Sequence, residues 1–160
     1  MTATGTFGLS SEARNLHWLL TNLVGEVRGA RSVAVVSSDG LLLLSSDPAL
    51  HDAADGTAGS ESPRGSSADL ATIISGISSL TLGAAELMDT GGVKHTMVAM
   101  AEGTVFVMSI SDGSLLGLHA GADCDMHVVA YHMAMFVGRA GHVLTPELRS
   151  ELRKSMESAQ

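Results

Sequence analysis

The first patterned stretch of the chain places an apolar residue at every third or fourth position. In residues 11–28, "SEARNLHWLLTNLVGEVR", Leu16, Leu19, Leu20, Leu23, Val24 and Val27 fall on one stripe of an α-helix. Ser10 or Ser11 can cap its start, and Gly29 can stop it. The period then changes. "RSVAVVSSDGLLLLSSD" runs β-branched residues into Asp39-Gly40 and leaves through four leucines, the pattern of a hairpin. "LLLL" does not alternate, and a strand apolar on both sides is covered on both faces. Residues 47–68 offer Ser, Gly, Asp, Ala and Pro and almost nothing to bury, so they read as a mobile loop tolerated as a surface insertion.

Helical spacing returns in "ADLATIISGISSLTLGAAELMD". Leu70, Ile73, Ile74, Ile77, Leu80, Ala84, Leu87 and Met88 form the apolar stripe, while Ser75, Gly76, Ser78, Ser79 and Gly83 occupy the other face. Those small residues either admit the backbone of another layer or form a solvated face. Three strands follow, at about 93–101, 104–111 and 115–121, with Glu102-Gly103 and Asp112-Gly113 between them as turns of an antiparallel meander. Residues 125–139 form a third long helix with Val128, Val129, Met133, Phe136 and Val137 inward, and Gly138 and Gly141 at its end. In "LTPELRSELRKSMES", Thr145 is the cap, Pro146 the first helical residue, and Leu148, Leu152 and Met156 a narrow stripe beside Arg149, Arg153 and Lys154. A helix of ~12 residues is marginal alone, so this one must dock. The order helix, two strands, helix, three strands, two helices gives an α/β (α+β) sandwich, a five-stranded antiparallel sheet between helices. Residues 11–142 form the domain and residues 143–160 an appended short helix and tail.

Composition narrows the functional classes. Apolar residues are 45% and charged residues 16%, so the surface carries few charges and apolar area is expected to be hidden against another copy or a partner. The net charge of -8, with no basic stripe and only one Trp, one Tyr and three Phe, excludes a nucleic-acid surface. Cys124 is the only cysteine, which rules out an internal disulfide and suits a reducing compartment. The start lacks the parts of a signal peptide, and no apolar run approaches the ~20 residues a bilayer demands. A soluble cytoplasmic protein without direct membrane insertion is expected.

The stretch "SISDGSLLGLHAGADCDMHVVAYHMAMF" (109–136) gathers aspartates, histidines and the cysteine. His127 and His132 are five apart and diverge on a helix, whereas helical metal pairs sit three or four apart. Asp123, Cys124, Asp125 and His127 stand at a strand-to-helix junction, where an aspartate serves as N-cap. Nucleophilic work by Cys124 would need a base, with His119 and His127 the candidates, but a lone cysteine at such a boundary reads as a small apolar residue. No phosphate-loop or dinucleotide glycine motif is present. Lys94 and His95 guard an edge strand, and Met97, Met100, Met108, Met126, Met133 and Met135 fill the core or line an adaptable contact. No catalytic residue, metal or cofactor is expected.

The hairpin "VAVVSSDGLLLLSS", the block "VFVMSISDGSLLGLHAGADCDMHVVAYHMAMFV" and the tail "VLTPELRSELR", taken with the element order, resemble the bacterial roadblock/dynein light chain family. The likeness is to the actinomycete type associated with a sensor-kinase-like protein and a small Ras-like GTPase, and it covers residues 11–157 apart from 47–68. The resemblance implies a sheet order of 2-1-5-4-3, the roadblock/longin-like arrangement, with the second helix alone on one face. It also implies a homodimer in which third strands pair and second helices pack, through Ile73, Ile77, Leu80, Ala84, Lys94, Thr96 and Val98. The family's members are non-enzymatic regulators and scaffolds of small GTPases, some promoting GTP hydrolysis without inserting an arginine. Partner contacts are expected at Ser75, Ser78 and Ser79 and on the last helix at Leu148, Leu152, Arg149 and Arg153. The alternative is a small-molecule sensor of profilin or PAS-like architecture, which would need a cavity lined by polar groups.

Overall fold

The computed structural model describes residues 9–46 and 66–158. The elements are α1 (Ser11–Glu26), β1 (Ala30–Val36), β2 (Leu42–Ser45), α2 (Ser66–Met88), β3 (Thr96–Met100), β4 (Gly103–Ser109), β5 (Leu115–Gly121), α3 (Met126–Val143) and α4 (Pro146–Ser158). The strands form one sheet in the order β2-β1-β5-β4-β3, antiparallel throughout. This is the expected topology. Of the expected loop, residues 47–65 lie outside the described residues, and 66–68 belong to α2 instead. Serine suits a helix start, so the polar composition concealed the first turn.

Two copies of Ser-Asp-Gly turn the sheet by the same device. Around Ser38-Asp39-Gly40, the Ser37 N–H donates to the Leu41 carbonyl at 2.8 Å and the Gly40 N–H to the Ser37 carbonyl at 3.0 Å. Around Ser111-Asp112-Gly113, Ile110 donates to Ser114 at 2.8 Å and Gly113 to Ile110 at 3.0 Å. Gly40 and Gly113 have φ of +88° and +91°, the left-handed position that ends a three-residue hairpin loop and favours glycine. The aspartates are held inside these turns: Asp39 accepts from the Ser37 hydroxyl, and Asp112 accepts from the Ser114 N–H at 3.0 Å and its hydroxyl at 2.7 Å. The β3–β4 turn differs from expectation, because Gly103 already pairs with Met100 and the turn is Ala101-Glu102. Gly103 is wanted for space, since a Cβ there would stand 3.1 Å from the Ala120 carbonyl oxygen.

"LLLL" is explained by a bulge rather than by two covered faces alone. Val35 pairs with Leu44 and Val36 with Leu42, leaving Leu43 as an extra residue on β2. Leu43 and Leu44 therefore both enter the same core, Leu42 packs on the opposite side, and Leu41 is exposed.

The sheet separates two cores. On one side Val33, Val35, Phe106, Leu116 and Leu118 meet Leu16, Leu20 and Leu23 of α1, Val129, Met133 and Phe136 of α3, and Leu148 and Leu152 of α4. On the other, among the described residues, Ala34, Val36, Val105, Val107 and Leu115 meet Ala71 and Ile74 of α2, with Leu70 and Ile77 at the margin. Helix α1 starts at Ser10, whose hydroxyl accepts from the Ala13 N–H at 3.2 Å. Helix α3 runs four residues past its expected end, so Gly138 and Gly141 lie within it; Val128, expected inward, is exposed instead. Each glycine costs about 1 kcal/mol in a helix interior, but burial of Phe136, Ala140 and Leu144 in the larger core carries the helix through. Helix α2 ends where Asp89 adopts φ +53°, letting the Thr90 N–H reach the Ala85 carbonyl at 3.2 Å.

Candidate functional site

Helix α2 has more apolar surface than the sheet can cover. The stripe expected to point inward divides: Ile74 is buried and Leu70 and Ile77 partly so, but Ile73, Leu80, Ala84, Leu87 and Met88 face away from the sheet. Leu80 is 76% exposed and Leu87 89%. By length and hydropathy alone Leu70–Met88 would suffice to cross a membrane. That departs from the expectation that no segment approaches a span, and the reason is compositional. Serine, glycine and alanine interrupt every apolar run without adding charge, so no run is visible while the average stays high.

The sheet edge continues this surface. Strand β3 pairs only with β4 among the described residues, which leaves its outer backbone groups open. It spans Thr96–Met100 rather than 93–101, so Lys94 precedes the strand on exposed chain. Thr96 is half-buried, while Val98, Met97 and Met100 are exposed. Of the residues expected at a dimer contact, Ile73, Leu80, Ala84 and Val98 are thus open and Ile77 is half-covered. Leu87 and Met88 extend this exposed face and Met100 the edge of β3 beside it, and none was among them; Met97 pairs with Phe106 and so faces the side of the larger core, while Leu82 is exposed on the opposite flank of α2. The signal that finds them is apolarity all round the helix, which marks a helix buried on more than one side.

Three of the expected partner contacts are placed elsewhere. Ser78 is buried beneath α2 against the sheet, and only Ser79 is open, with Ser75 half-buried and its hydroxyl donating to the Ser38 carbonyl at 3.3 Å. Leu148 and Leu152 are core residues, not surface anchors. The amphipathic stripe of α4 is real, but it docks on its own domain. The two arginines beside that stripe each reach a turn of the sheet. Arg149 Nε lies 3.5 Å from Asp112 Oδ2, with Nη1 donating to the Asp112 carbonyl at 3.4 Å, and Arg153 Nη2 lies 3.9 Å from Asp39 Oδ2. The four-residue spacing of the arginines therefore meets one turn of the sheet each. On the same helix Glu151 Oε1 accepts from the Ser10 N–H at 2.5 Å, tying α4 to the start of α1. The Ser37 hydroxyl first, then the Asp39 backbone N–H and last the Arg153 charge, hold the Asp39 carboxyl below its ordinary range.

The residues that invited a chemical reading take structural places. Asp125 caps α3, accepting from the N–H groups of His127 at 2.9 Å and Val128 at 3.4 Å. Cys124 is half-buried and packs against the larger core. His132 points to Glu26 at 3.2 Å, away from the His127–Asp125 pair. Among the described residues no group of three or more His, Cys, Asp or Glu is arranged to hold a metal ion. Asp125→Ala is expected to cost about 1 kcal/mol of stability through the lost cap, whereas Cys124→Ser leaves partner binding unchanged; denaturant titration and a binding isotherm check the two.

Among the described residues the fold is an antiparallel sheet with one helix half-covered on one face, beside an edge strand left unpaired. The chain belongs to the Roadblock/LC7 domain family, whose model matches residues 16–120. Among solved structures it is similar to a Roadblock/LC7 domain from Streptomyces avermitilis, at 27% identity over 78% of this chain and 92% of that one, with a TM-score of 0.64. MglB of Myxococcus xanthus is 12% identical over 81% of this chain and 94% of that one, with a TM-score of 0.65. The gliding protein MglB of Thermus thermophilus is 16% identical over 84% and 92%, with a TM-score of 0.68. The last two likenesses concern the fold alone. No curated protein matches the chain.

Proposed function

We propose that this protein is a homodimeric, non-enzymatic regulatory module that binds a small Ras-like GTPase in the cytoplasm and modulates its nucleotide cycle, with a sensor-kinase-like protein as a second partner. The observation that carries the reading is the uncovered apolar face of α2 beside the open edge of β3. Burying Ile73, Leu80 and Leu87 further contributes about 1–2 kcal/mol each. Doubled by a two-fold axis, that is about 6–12 kcal/mol, the same scale as the roughly 4–15 kcal/mol that association costs. Pairing of β3 with its symmetry mate would also satisfy the open backbone groups, the usual answer to an exposed edge. Membership of the Roadblock/LC7 family supports the GTPase as partner.

Mixing the protein with a Ras-like GTPase loaded with GDP or a GTP analogue, followed by calorimetry or co-elution, tests the reading. Binding that prefers one nucleotide state is expected; none in either state overturns it. Leu80→Asp tests the dimer. Leu80 stands clear of the core, so the variant keeps its fold, as surface changes usually do within about ±0.5 kcal/mol, and is expected to elute as a monomer at micromolar concentration. A variant that remains dimeric there places the interface elsewhere. Ile77 is the poorer choice, because it also packs on the sheet.

A further inference from the structure

The chain holds one tryptophan and one tyrosine, and neither is in the core: Trp18 is 60% exposed and Tyr131 62%. They lie on α1 and α3, which pack together on the sheet face opposite α2. Between these helices runs a groove of about 220 Å³ whose lining includes Leu19, Asn22, Glu26, Tyr131, Met135 and Arg139. Trp18 precedes Asn22 by four residues and so extends the same side of α1 by one turn. Within the groove His132 Nδ1 meets Glu26 Oε2 at 3.2 Å, and the Tyr131 ring stands edge-on to His132, with centroids 5.3 Å apart at 83°.

Helix α3, unlike the molecule as a whole, carries a net positive charge, that of Arg139. The chain carries -8, yet α3 has no Asp or Glu from Met126 to Val143 and bears His127, His132, Arg139 and His142. Glu26, the carboxylate of the groove, is already engaged by His132, and Arg139 has no ion-pair partner among the described residues. Trp, Tyr, Arg and Met are the side chains that dominate the centres of protein interfaces. A groove bounded by two helices fits a third helix that presents side chains at i, i+3 or i+4, and i+7.

We propose that the α1–α3 groove docks an acidic amphipathic helix of a partner protein. Apolar anchors of that helix pack on Leu19, Tyr131 and Met135, and one of its carboxylates pairs with Arg139. An anionic lipid surface is held by a cluster of Lys and Arg, and the groove has Arg139 alone. The site lies across the sheet from α2, so the two surfaces can be occupied together, and it does not depend on the GTPase reading.

Trp18 is the only indole in the chain and stands one turn of α1 from the groove's Asn22, so its emission reports on what binds beside it. Three probes are titrated into the full chain: a two-heptad amphipathic peptide with leucine anchors and glutamate flanks, the same peptide with lysine flanks, and vesicles of mixed phosphatidylcholine and phosphatidylserine. The glutamate peptide is expected to shift Trp18 emission to the blue and to saturate, with the lysine peptide weaker by about tenfold or more. Arg139→Glu is expected to weaken the glutamate peptide by about tenfold or more and to strengthen the lysine peptide. Tyr131→Ala weakens both, with the circular dichroism spectrum unchanged in each variant. Leu80→Asp, on the other face, leaves the titration as it was. Equal binding of the two peptides, indifference to Arg139→Glu, or a shift with vesicles alone overturns the proposal.

Discussion

Gly117→Ala is expected to destabilise the protein by about 1–3 kcal/mol, the usual cost of overpacking a well-filled core, and to displace α2. A Cβ at position 117 would lie 1.9 Å from Ile74 Cδ1 and 2.6 Å from Cγ1. Rotation of the Ile74 terminus relieves the first clash but not the second, because Cγ1 is fixed one bond from a β-branched carbon. Ile74 is fully buried, so the helix itself must lift from β5. The control is a double-mutant cycle. Ile74→Ala alone leaves a cavity and costs about 2–5 kcal/mol, but it removes the atoms that Gly117→Ala strikes. The double variant is therefore expected to be more stable than the sum of the two single losses allows, a coupling within the roughly 0.5–3 kcal/mol seen for residues in contact. Denaturant midpoints measure all four corners. Strict additivity would show that α2 does not rest on Gly117. The change also reaches function, since the exposed face that carries Leu80 moves with the helix.

That dependence on one glycine shows where the sequence was readable. The hairpins were legible because a turn with φ > 0 has a short list of residues, and both copies use Asp-Gly. The helix α1 stripe was legible because its polar face is charged and polar. Helix α2 was harder for the opposite reason. Apolar residues surround it, so spacing alone does not choose between the face through Ala71, Ile74 and Ser78 and the one through Ile73, Leu80 and Leu87. What decides is complementarity to the sheet, where the absent side chain of Gly117 makes the seat for Ile74, and no local pattern encodes that. The bulge at Leu43 was hidden in the same way, because four leucines look alike until β1 sets their register. Helix α4 shows a third case. Its stripe and its cap at Thr145 were plain, and Leu148 does donate its N–H to Thr145 Oγ1 at 3.2 Å. What the stripe packs against is a long-range fact, settled by the core residues of α1 and β2, far from α4 in the chain.

The place of α4 leads to a contrast between two neighbouring residues. Leu152 is 2% exposed and belongs to the core shared with α1 and α3. Leu152→Ala is expected to cost about 2–5 kcal/mol, transfer and cavity together, and to lower Tm by on the order of 10 °C for a domain of this size. Arg153→Ala, one residue on, removes a half-exposed contact with Asp39 at 3.9 Å and is expected to cost about 0–1 kcal/mol, as surface ion pairs do. Measured where both variants remain folded, GTPase binding should match the parent for Leu152→Ala. A Leu152→Ala variant with parental Tm and lost binding would return this residue to an interface. The stability contribution of Asp39 has a definite sign: its folded-state carboxyl titrates below the ordinary range, so the contribution is present above the unfolded value and is lost as pH falls through the folded one. Arg153→Ala removes the weakest of the three supports and leaves the Ser37 hydroxyl and the Asp39 backbone N–H in place. The acid limb of its stability curve should therefore follow that of the parent closely. Ser37→Ala, which also removes the hydroxyl that accepts from the Leu41 N–H at 3.1 Å, should flatten it.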